Sequence, residues 1–99
     1  MEQLEFLAIG KAKRENWLAT ITPEEKAIMG KHFEYVRQMY AEGKVVLSGP
    51  CLDGAYGIII YNAESAEEAQ KMFEKDPAVQ TGVMDVELHP FKVGVMEGR

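Results

Sequence analysis

Hydrophobic and polar residues are arranged along this chain in a pattern that predicts four β-strands. Short apolar or alternating runs bounded by glycine, proline or polar turn residues lie at 4–9, 44–49, 56–61 and 83–89. The last run alternates most clearly, with Met84, Val86 and Leu88 on one face and charged or polar residues on the other. A short turn joins the second and third runs, so we expect them to form a hairpin.

Two helices are predicted from their start signals. Thr22-Pro23-Glu24-Glu25 combines a capping hydroxyl, a proline in the first turn and a glutamate three residues after the cap. Ser65-Ala66-Glu67-Glu68 repeats this capping-box arrangement. We expect the first helix to end near residue 42, where Gly43 supplies a left-handed stop. The second ends at Asp76-Pro77, which also caps a short turn over 78–81.

The order strand, helix, strand, strand, helix, strand predicts a ferredoxin-like α+β fold with a four-stranded antiparallel sheet, in one domain over residues 1–99. Two helices cover only one face of such a sheet. The first and third strands are nevertheless apolar on both faces, because residues such as Leu7 and Ile9 alternate with Phe6 and Ala8. We therefore expect a second copy of the chain to cover the other face, in a homodimer.

Charge and composition narrow the class of partner. The chain has 16 acidic and 11 basic residues, a net charge of −5, so it lacks the positive surface that nucleic acid or an anionic membrane requires. Cys51 is the only cysteine, which excludes an internal disulfide and a cysteine-based metal cluster. Met1-Glu2-Gln3 leads into the first strand without a secretion signal, and no apolar run reaches the ~20 residues of a membrane helix. We expect a cytoplasmic protein.

His32 interrupts the apolar stripe of the first predicted helix. Ile28, Val36 and Met39 share its face at helical spacing, so we expect the imidazole to be at least half buried. Histidine is the usual side chain for proton transfer near neutral pH, which makes His32 a candidate base. The alternative is that one hydrogen bond satisfies the imidazole and the residue only packs.

The polar connection at 11–21 is long for a domain of this size, and long structureless connections often bind ligands. Either Arg14 and Trp17 line a site there, or Trp17 fills the edge of the core while Arg14 is solvated. Ser48 ends the second strand, where its hydroxyl either meets a substrate oxygen or occupies a neutral strand position. Asp53 precedes Gly54 and is either a site residue or an ordinary turn residue.

No cofactor or metal motif is visible in the sequence. The two histidines, His32 and His89, are far apart and have no carboxylates at metal-ligand spacing. Gly10-Lys11-Ala12-Lys13 lacks the pattern of a phosphate-binding loop, and Cys51 has no histidine or helix start beside it to activate its thiol. We therefore expect no cofactor and no metal, with His89 at the surface or at a dimer seam.

Several segments of the chain form a specific combination when taken in order. They are Thr22-Pro23-Glu24-Glu25 leading to His32-Phe33-Glu34-Tyr35, Leu47-Ser48-Gly49-Pro50 with Leu52-Asp53-Gly54, Asp76-Pro77-Ala78-Val79 with Gly82-Val83, and His89-Pro90-Phe91. In this order and spacing the chain resembles the YCII-related family, from Leu4 to Val93. The resemblance implies a small protein of the dimeric α+β barrel superfamily. It also implies relatives that include a dehydrochlorinase acting on a chlorinated hydroxymuconate and, more distantly, muconolactone isomerases.

The resemblance further implies a site. The family carries a histidine–aspartate pair in a cleft, and its histidine matches His32 while its aspartate before proline matches Asp76. Asp53, the acidic residue after the Gly-Pro turn, matches less closely because that loop varies in the family. Asp76 has a second explanation, since aspartate before proline is an ordinary cap of a helical turn.

Two functions follow as hypotheses. In the first, the protein is a cofactor-independent lyase or isomerase in which His32, oriented by Asp76, moves a proton on a small anionic organic substrate. Further residues would neutralise a substrate carboxylate or wall the pocket: Arg14 or Lys13, and Trp17 or Tyr35. In the second, the protein is a non-catalytic dimeric module that binds a metabolite or accompanies another enzyme.

Overall fold

The computed structural model describes residues 4–99, so residues 1–3 of the predicted domain lie outside the described part of the chain. The strands are β1 (Leu4–Ala12), β2 (Val45–Pro50), β3 (Gly57–Ala63) and β4 (Met84–Phe91). The helices are α1 (Trp17–Thr20), α2 (Pro23–Ala41), α3 (Ala66–Glu74) and α4 (Pro77–Gln80). The strands form one antiparallel sheet in the order β2-β3-β1-β4, which confirms the predicted ferredoxin-like α+β fold. Among the helices of residues 4–99, none combines the length and the hydropathy that a membrane span needs.

The longer helices begin where their capping signals predict. Thr22 Oγ1 accepts the backbone N–H of Glu25 at 3.1 Å, and Glu25 Oε1 accepts the backbone N–H of Thr22 at 2.8 Å, which completes the first capping box. Ser65 caps α3 by accepting the N–H of Glu68 at 3.1 Å, but the Glu68 carboxylate accepts from the backbone of Glu64 instead, at 3.4 Å. The second predicted capping box is therefore only half formed.

The connection predicted at residues 11–21 has structure of its own. β1 continues through Ala12, and α1 forms one helical turn in which the N–H groups of Ala19 and Thr20 donate to the Asn16 carbonyl. The turn directs Trp17 inward, and this apolar burial stabilises a helix too short to persist alone. The expectation of a structureless connection is wrong for these residues.

The core lies between the sheet and the longer helices. Register places Phe6 opposite Tyr61 and Ala8 opposite both Ile59 and Leu88, so these residues share one face of the sheet. Buried side chains of α2 and α3 pack against this face: Val36, Met39, Ala69, Met72 and Phe73. The predicted alternation of β4 is confirmed, because its apolar residues lie on the face covered by helices.

The other face of the sheet is apolar at its centre. Leu7 pairs with Ile60, and Ile9 pairs with Ile58. Of these four residues only Ile60 is buried in the single chain. Leu47, opposite Ile60 on the edge strand β2, is an exposed apolar side chain on the same face.

The C-terminal segment folds back to the start of β1. Glu5 accepts the backbone N–H of Val93 at 3.0 Å and the guanidinium of Arg99 at 2.6 Å. These hydrogen bonds, that of Arg99 first, lower the pKa of the Glu5 carboxyl. Sequence patterns gave no sign of this contact, because the pairing residues are separated by almost the whole chain.

Candidate active site

α2 and the cap of α4 bring His32 and Asp76 together, and both side chains are largely buried. His32 Nδ1 lies 2.8 Å from each carboxylate oxygen of Asp76. The His32 and Asp76 side chains are 14% and 3% exposed. The expectation of an imidazole at least half buried is confirmed. Since a carboxylate only accepts, the contact assigns a hydrogen to Nδ1 and leaves the lone pair of the neutral ring on Nε2.

Asp76 fills both of the roles that the sequence left open. Its Oδ1 accepts the backbone N–H of Ala78 at 2.8 Å, the cap of α4, while Pro77 occupies the first helical turn. The same carboxylate binds His32. A helix cap thus holds the carboxylate in place, and the carboxylate in turn fixes the orientation of the imidazole.

The second ring nitrogen of His32 remains accessible. Nε2 makes no hydrogen bond within residues 4–99. In the described part of the chain, one side-chain polar atom of an unexposed residue is both sealed from solvent and without a hydrogen-bond partner. That atom is Tyr61 Oη. Nε2 is therefore not sealed from solvent, and His32 is one of the residues that line a cavity.

A cavity of about 240 Å³ lies between the first half of α2 and the helix-covered face of the sheet. Its walls are mostly apolar and aromatic side chains, among them Trp17, Phe33, Tyr56 and Phe73. Besides His32 and Asp76, its polar lining includes Ser48 and the thiol of Cys51, and none of the described lining residues is a lysine or an arginine. Such a lining suits a small ring with few charges.

Two of the predicted binding residues lie in this cavity. Ser48 stands opposite Ile59 in the register of β2 and β3, which directs it to the helix-covered side of the sheet. Trp17 is 6% exposed, so it both fills the edge of the core and forms a wall of the cavity. Their role in binding stays a prediction.

Arg14 lies outside the cavity and is already paired. Its guanidinium donates to both carboxylate oxygens of Glu25 at 2.7 Å and to the Thr20 carbonyl at 2.7 Å. The ion pair lowers the pKa of Glu25 to about 2 and raises the pKa of Arg14. Arg14 and Lys13 line a neighbouring groove of about 500 Å³. The expectation that they neutralise a substrate carboxylate beside His32 is corrected, because that cavity contains neither.

Asp53 and Tyr35 are also placed away from the cavity. Asp53 Oδ1 accepts the N–H of Ala55 at 2.9 Å, the ordinary turn role that the sequence analysis held as its alternative. Tyr35 Oη donates to the Met72 carbonyl at 2.7 Å, and burial raises the pKa of its hydroxyl to about 12. Tyr35 therefore joins α2 to α3 and does not wall the pocket.

Several residues that line the cavity were not predicted from the sequence. Phe33 follows His32 with its ring 5.2 Å from the imidazole, and Tyr56 stands just before β3. The sequence offered one signal, since both are large aromatic residues, Phe33 on the predicted first helix and Tyr56 at the start of the third predicted strand. His89 is exposed in the single chain, with Nε2 3.2 Å from a Glu87 oxygen, and it lies opposite Leu7 in the sheet, so both predicted positions, the surface and a dimer seam, stay open. Within residues 4–99 no three His, Cys, Asp or Glu side chains form a metal-binding group.

Two solved structures share this fold. One is 5-chloro-2-hydroxyhydroquinone dehydrochlorinase from Burkholderia phenoliruptrix AC1100 in complex with 2,5-dihydroxybenzoquinone. It has a TM-score of 0.65 and 22% identity, over 90% of this chain and 95% of that chain. The other is muconolactone isomerase, with a TM-score of 0.70 and 12% identity over 97% of both chains. The dehydrochlorinase is named for a chlorinated hydroxyhydroquinone, which differs from the hydroxymuconate that the resemblance implied.

Sequence comparison gives the family. The uncharacterized protein YjpA of Bacillus subtilis (strain 168) is 29% identical over 62 residues, which is 63% of this chain and 73% of that protein. The model of the YCII-related domain matches residues 5–92. Because this match runs from β1 through the end of β4, with the His32–Asp76 pair inside it, the chain belongs to the YCII-related domain family.

Proposed function

We propose that this protein is a small, cofactor-independent enzyme of the lyase or isomerase class, in which His32 moves a proton on a small organic substrate. One observation carries the proposal. The Asp76 carboxylate, itself held by the backbone of Ala78, accepts a hydrogen bond from Nδ1 and leaves Nε2 free in a side chain that lines an apolar cavity. A base held in this way is poised to accept a proton from a substrate.

The chemistry follows from that placement. Nε2 takes the proton of a substrate C–H bond, and the electron pair of that bond forms a new π bond. In an elimination, the leaving group departs from the adjacent carbon with its own electron pair. In an isomerisation, an adjacent π bond of the substrate breaks, and its electron pair takes the same proton at a different carbon. In both cases the transient imidazolium is stabilised by the Asp76 carboxylate 2.8 Å away.

The two structural neighbours support this reaction class by analogy of fold. One carries the name of a dehydrochlorinase and the other that of an isomerase. The lining of the cavity guides the substrate assignment, since it lacks the cation that a carboxylate would need. We therefore assign to the site a neutral or phenolic ring instead of the carboxylate anion expected from the sequence.

The test is a comparison of two histidine variants. Wild type, His32→Asn and His89→Asn are assayed for chloride release from 5-chloro-2-hydroxyhydroquinone and for binding of 2,5-dihydroxybenzoquinone. We expect His32→Asn to lose at least roughly 10²-fold in kcat with binding retained, as general-base catalysis contributes that much. His89→Asn is the matched control because His89 is exposed. Binding without any His32-dependent turnover, on this substrate or on muconolactone, would favour the non-catalytic metabolite-binding module.

The assembly is a second part of the proposal. We assign the apolar sheet face around Leu7, Ile9 and Ile58 to a homodimer interface, because partly exposed apolar residues are contiguous there. Two sheets packed on these faces would remove them from water. We place the working enzyme in the cytoplasm, as the composition suggests.

A further inference from the structure

Trp17 stands between the cavity beside His32 and the neighbouring groove. The groove is formed by residues 12–19 and by the turn at 53–55. The cavity and the groove share four lining residues, which are Ala12, Trp17, Leu18 and Gly54. The two depressions are therefore adjacent, and these four residues form the wall between them.

Trp17 is the main part of that wall. Ala12 and Gly54 have little or no side chain, and Leu18 is 60% exposed. Trp17 is large and buried, so its indole is the bulkiest side chain shared by the two linings. Leu18 closes the remainder against the turn, because a methyl group placed on Gly54 would lie 3.4 Å from Leu18 Cδ1.

Arg14 contacts this wall from the side of the groove. Its guanidinium lies over the indole, 5.0 Å from the ring centre. The same guanidinium is bound in a bidentate manner to Glu25, at the start of α2, and to the carbonyl of Thr20 at the end of α1. These contacts tie α1 to α2 and hold the guanidinium against one face of the indole.

The two depressions differ in charge. The described lining of the cavity contains no lysine or arginine. Lys13 lines the groove and forms no salt bridge within residues 4–99, although Glu15 and Asp53 line the groove as well. Removal of the indole would therefore join an apolar cavity to a groove that offers a cation.

We propose that Trp17 determines the specificity of the site by limiting it to ligands with a single ring and excluding those whose second ring extends toward Lys13. The inference rests on the proposed function, since it takes the cavity as the substrate site. A cavity of roughly 150 Å³ holds benzene. The volume of about 240 Å³ beside His32 accordingly suits one substituted ring, and Trp17 lies where a second ring would extend toward Lys13.

Calorimetric titration with three phenols tests this limit. The probes are 4-chlorophenol with one ring, 4-phenylphenol with two, and 4′-hydroxybiphenyl-4-carboxylate with two rings and an anionic end. Wild type is expected to bind 4-chlorophenol and to bind both two-ring probes at least tenfold more weakly. Trp17→Ala is expected to bind 4-phenylphenol at least tenfold more tightly than wild type does. The carboxylate probe gains a further factor of at least three, which is lost when Lys13→Gln is added.

Two further variants keep the test decisive. Trp17→Leu retains a buried apolar side chain, so it replaces Trp17→Ala if circular dichroism shows that the alanine variant does not fold, and a gain of at least threefold is expected. Leu52→Ala is the control, because Leu52 is 93% exposed in the neighbouring turn and lines neither the cavity nor the groove, so it should change all affinities by less than threefold.

The outcomes separate the two proposals. Equal wild-type affinity for one-ring and two-ring probes, or no gain in either Trp17 variant, would overturn the size limit while leaving His32-dependent turnover as it stands. Failure of wild type to bind 4-chlorophenol, together with turnover that survives His32→Asn, would overturn the proposed function itself.

Discussion

The carboxylate of Asp76 holds Nδ1 of His32 at 2.8 Å from each of its oxygens. The same carboxylate caps α4 through the N–H of Ala78. One side chain thus connects the fold to the candidate site, because the cap that starts α4 also sets the orientation of the imidazole. Substitutions at this position separate the two roles, since asparagine caps a helix about as well as aspartate and alanine does not.

Asp76→Asn is expected to remove activity and to spare the fold. An asparagine amide donates to Nδ1, which moves the hydrogen of the neutral ring to Nε2 and takes away the lone pair that accepts the substrate proton. We expect turnover to fall by roughly 10²–10⁴-fold, the contribution of general acid–base catalysis, and the same change in a Ser-His-Asp triad costs about 10⁴-fold. Asp76→Ala should lose activity similarly and also about 1 kcal/mol of cap stabilisation. Urea unfolding with parallel turnover assays measures both, and full activity in the asparagine variant would contradict the assigned tautomer.

Tyr35→Phe is expected to lower the stability of the fold and to leave ligand binding unchanged. The substitution removes the hydroxyl that donates to the Met72 carbonyl at 2.7 Å, and it leaves that carbonyl without its partner. We expect a loss of about 1–2 kcal/mol in the free energy of unfolding. Because Tyr35 does not line the cavity, the dissociation constant of 4-chlorophenol should be unchanged. A large change in affinity without a change in stability would indicate that Tyr35 does contribute to the binding site.

Sequence reasoning reached the fold because the local signals agree with one another. The capping box at Thr22, the left-handed Gly43 and the alternation of β4 each fix one element, and their order admits few topologies. The same local logic placed His32 on the inner face of α2. Its contact with Asp76 was reached only through the resemblance to a family, because nothing local relates two residues on different helices.

The remaining site residues escaped sequence reasoning for a physical reason. Arg14 and Asp53 carry charges, and a charged side chain in a sequence does not reveal whether a neighbour already neutralises it. Glu25 was read as a capping residue, yet it also pairs with Arg14. The burial of Trp17 depends on α1, a single turn that propensity alone does not predict.

The Arg14–Glu25 pair gives stability a defined acid dependence. The pKa of Glu25 is lowered from 4.5 to about 2, first by the hydrogen bond from Arg14. A carboxyl with a lowered folded pKa contributes stability that is present above pH 4.5 and is lost as the pH falls toward 2. Glu25→Gln should therefore be less stable than wild type at pH 7, and the difference should shrink at pH 3. Urea unfolding at both pH values tests this, and a constant difference would contradict the ion pair as its cause.

The sheet face that carries Leu7, Ile9 and Ile58 leads to the last prediction. These residues are half-buried in the single chain, and a lysine at position 58 would place a charge in the apolar patch with only Ile9 and Gly49 opposite it. Ile58→Lys is expected to abolish the homodimer, since an unpaired charge in a desolvated interface costs several kcal/mol. Sedimentation equilibrium should give twice the 11.1 kDa chain mass for wild type and the single mass for the variant. Glu34→Lys is the control, because Glu34 is exposed on α2, which covers the opposite face of the sheet, and it should change the association constant far less. A wild-type protein that sediments as a monomer at micromolar concentration would refute this interface.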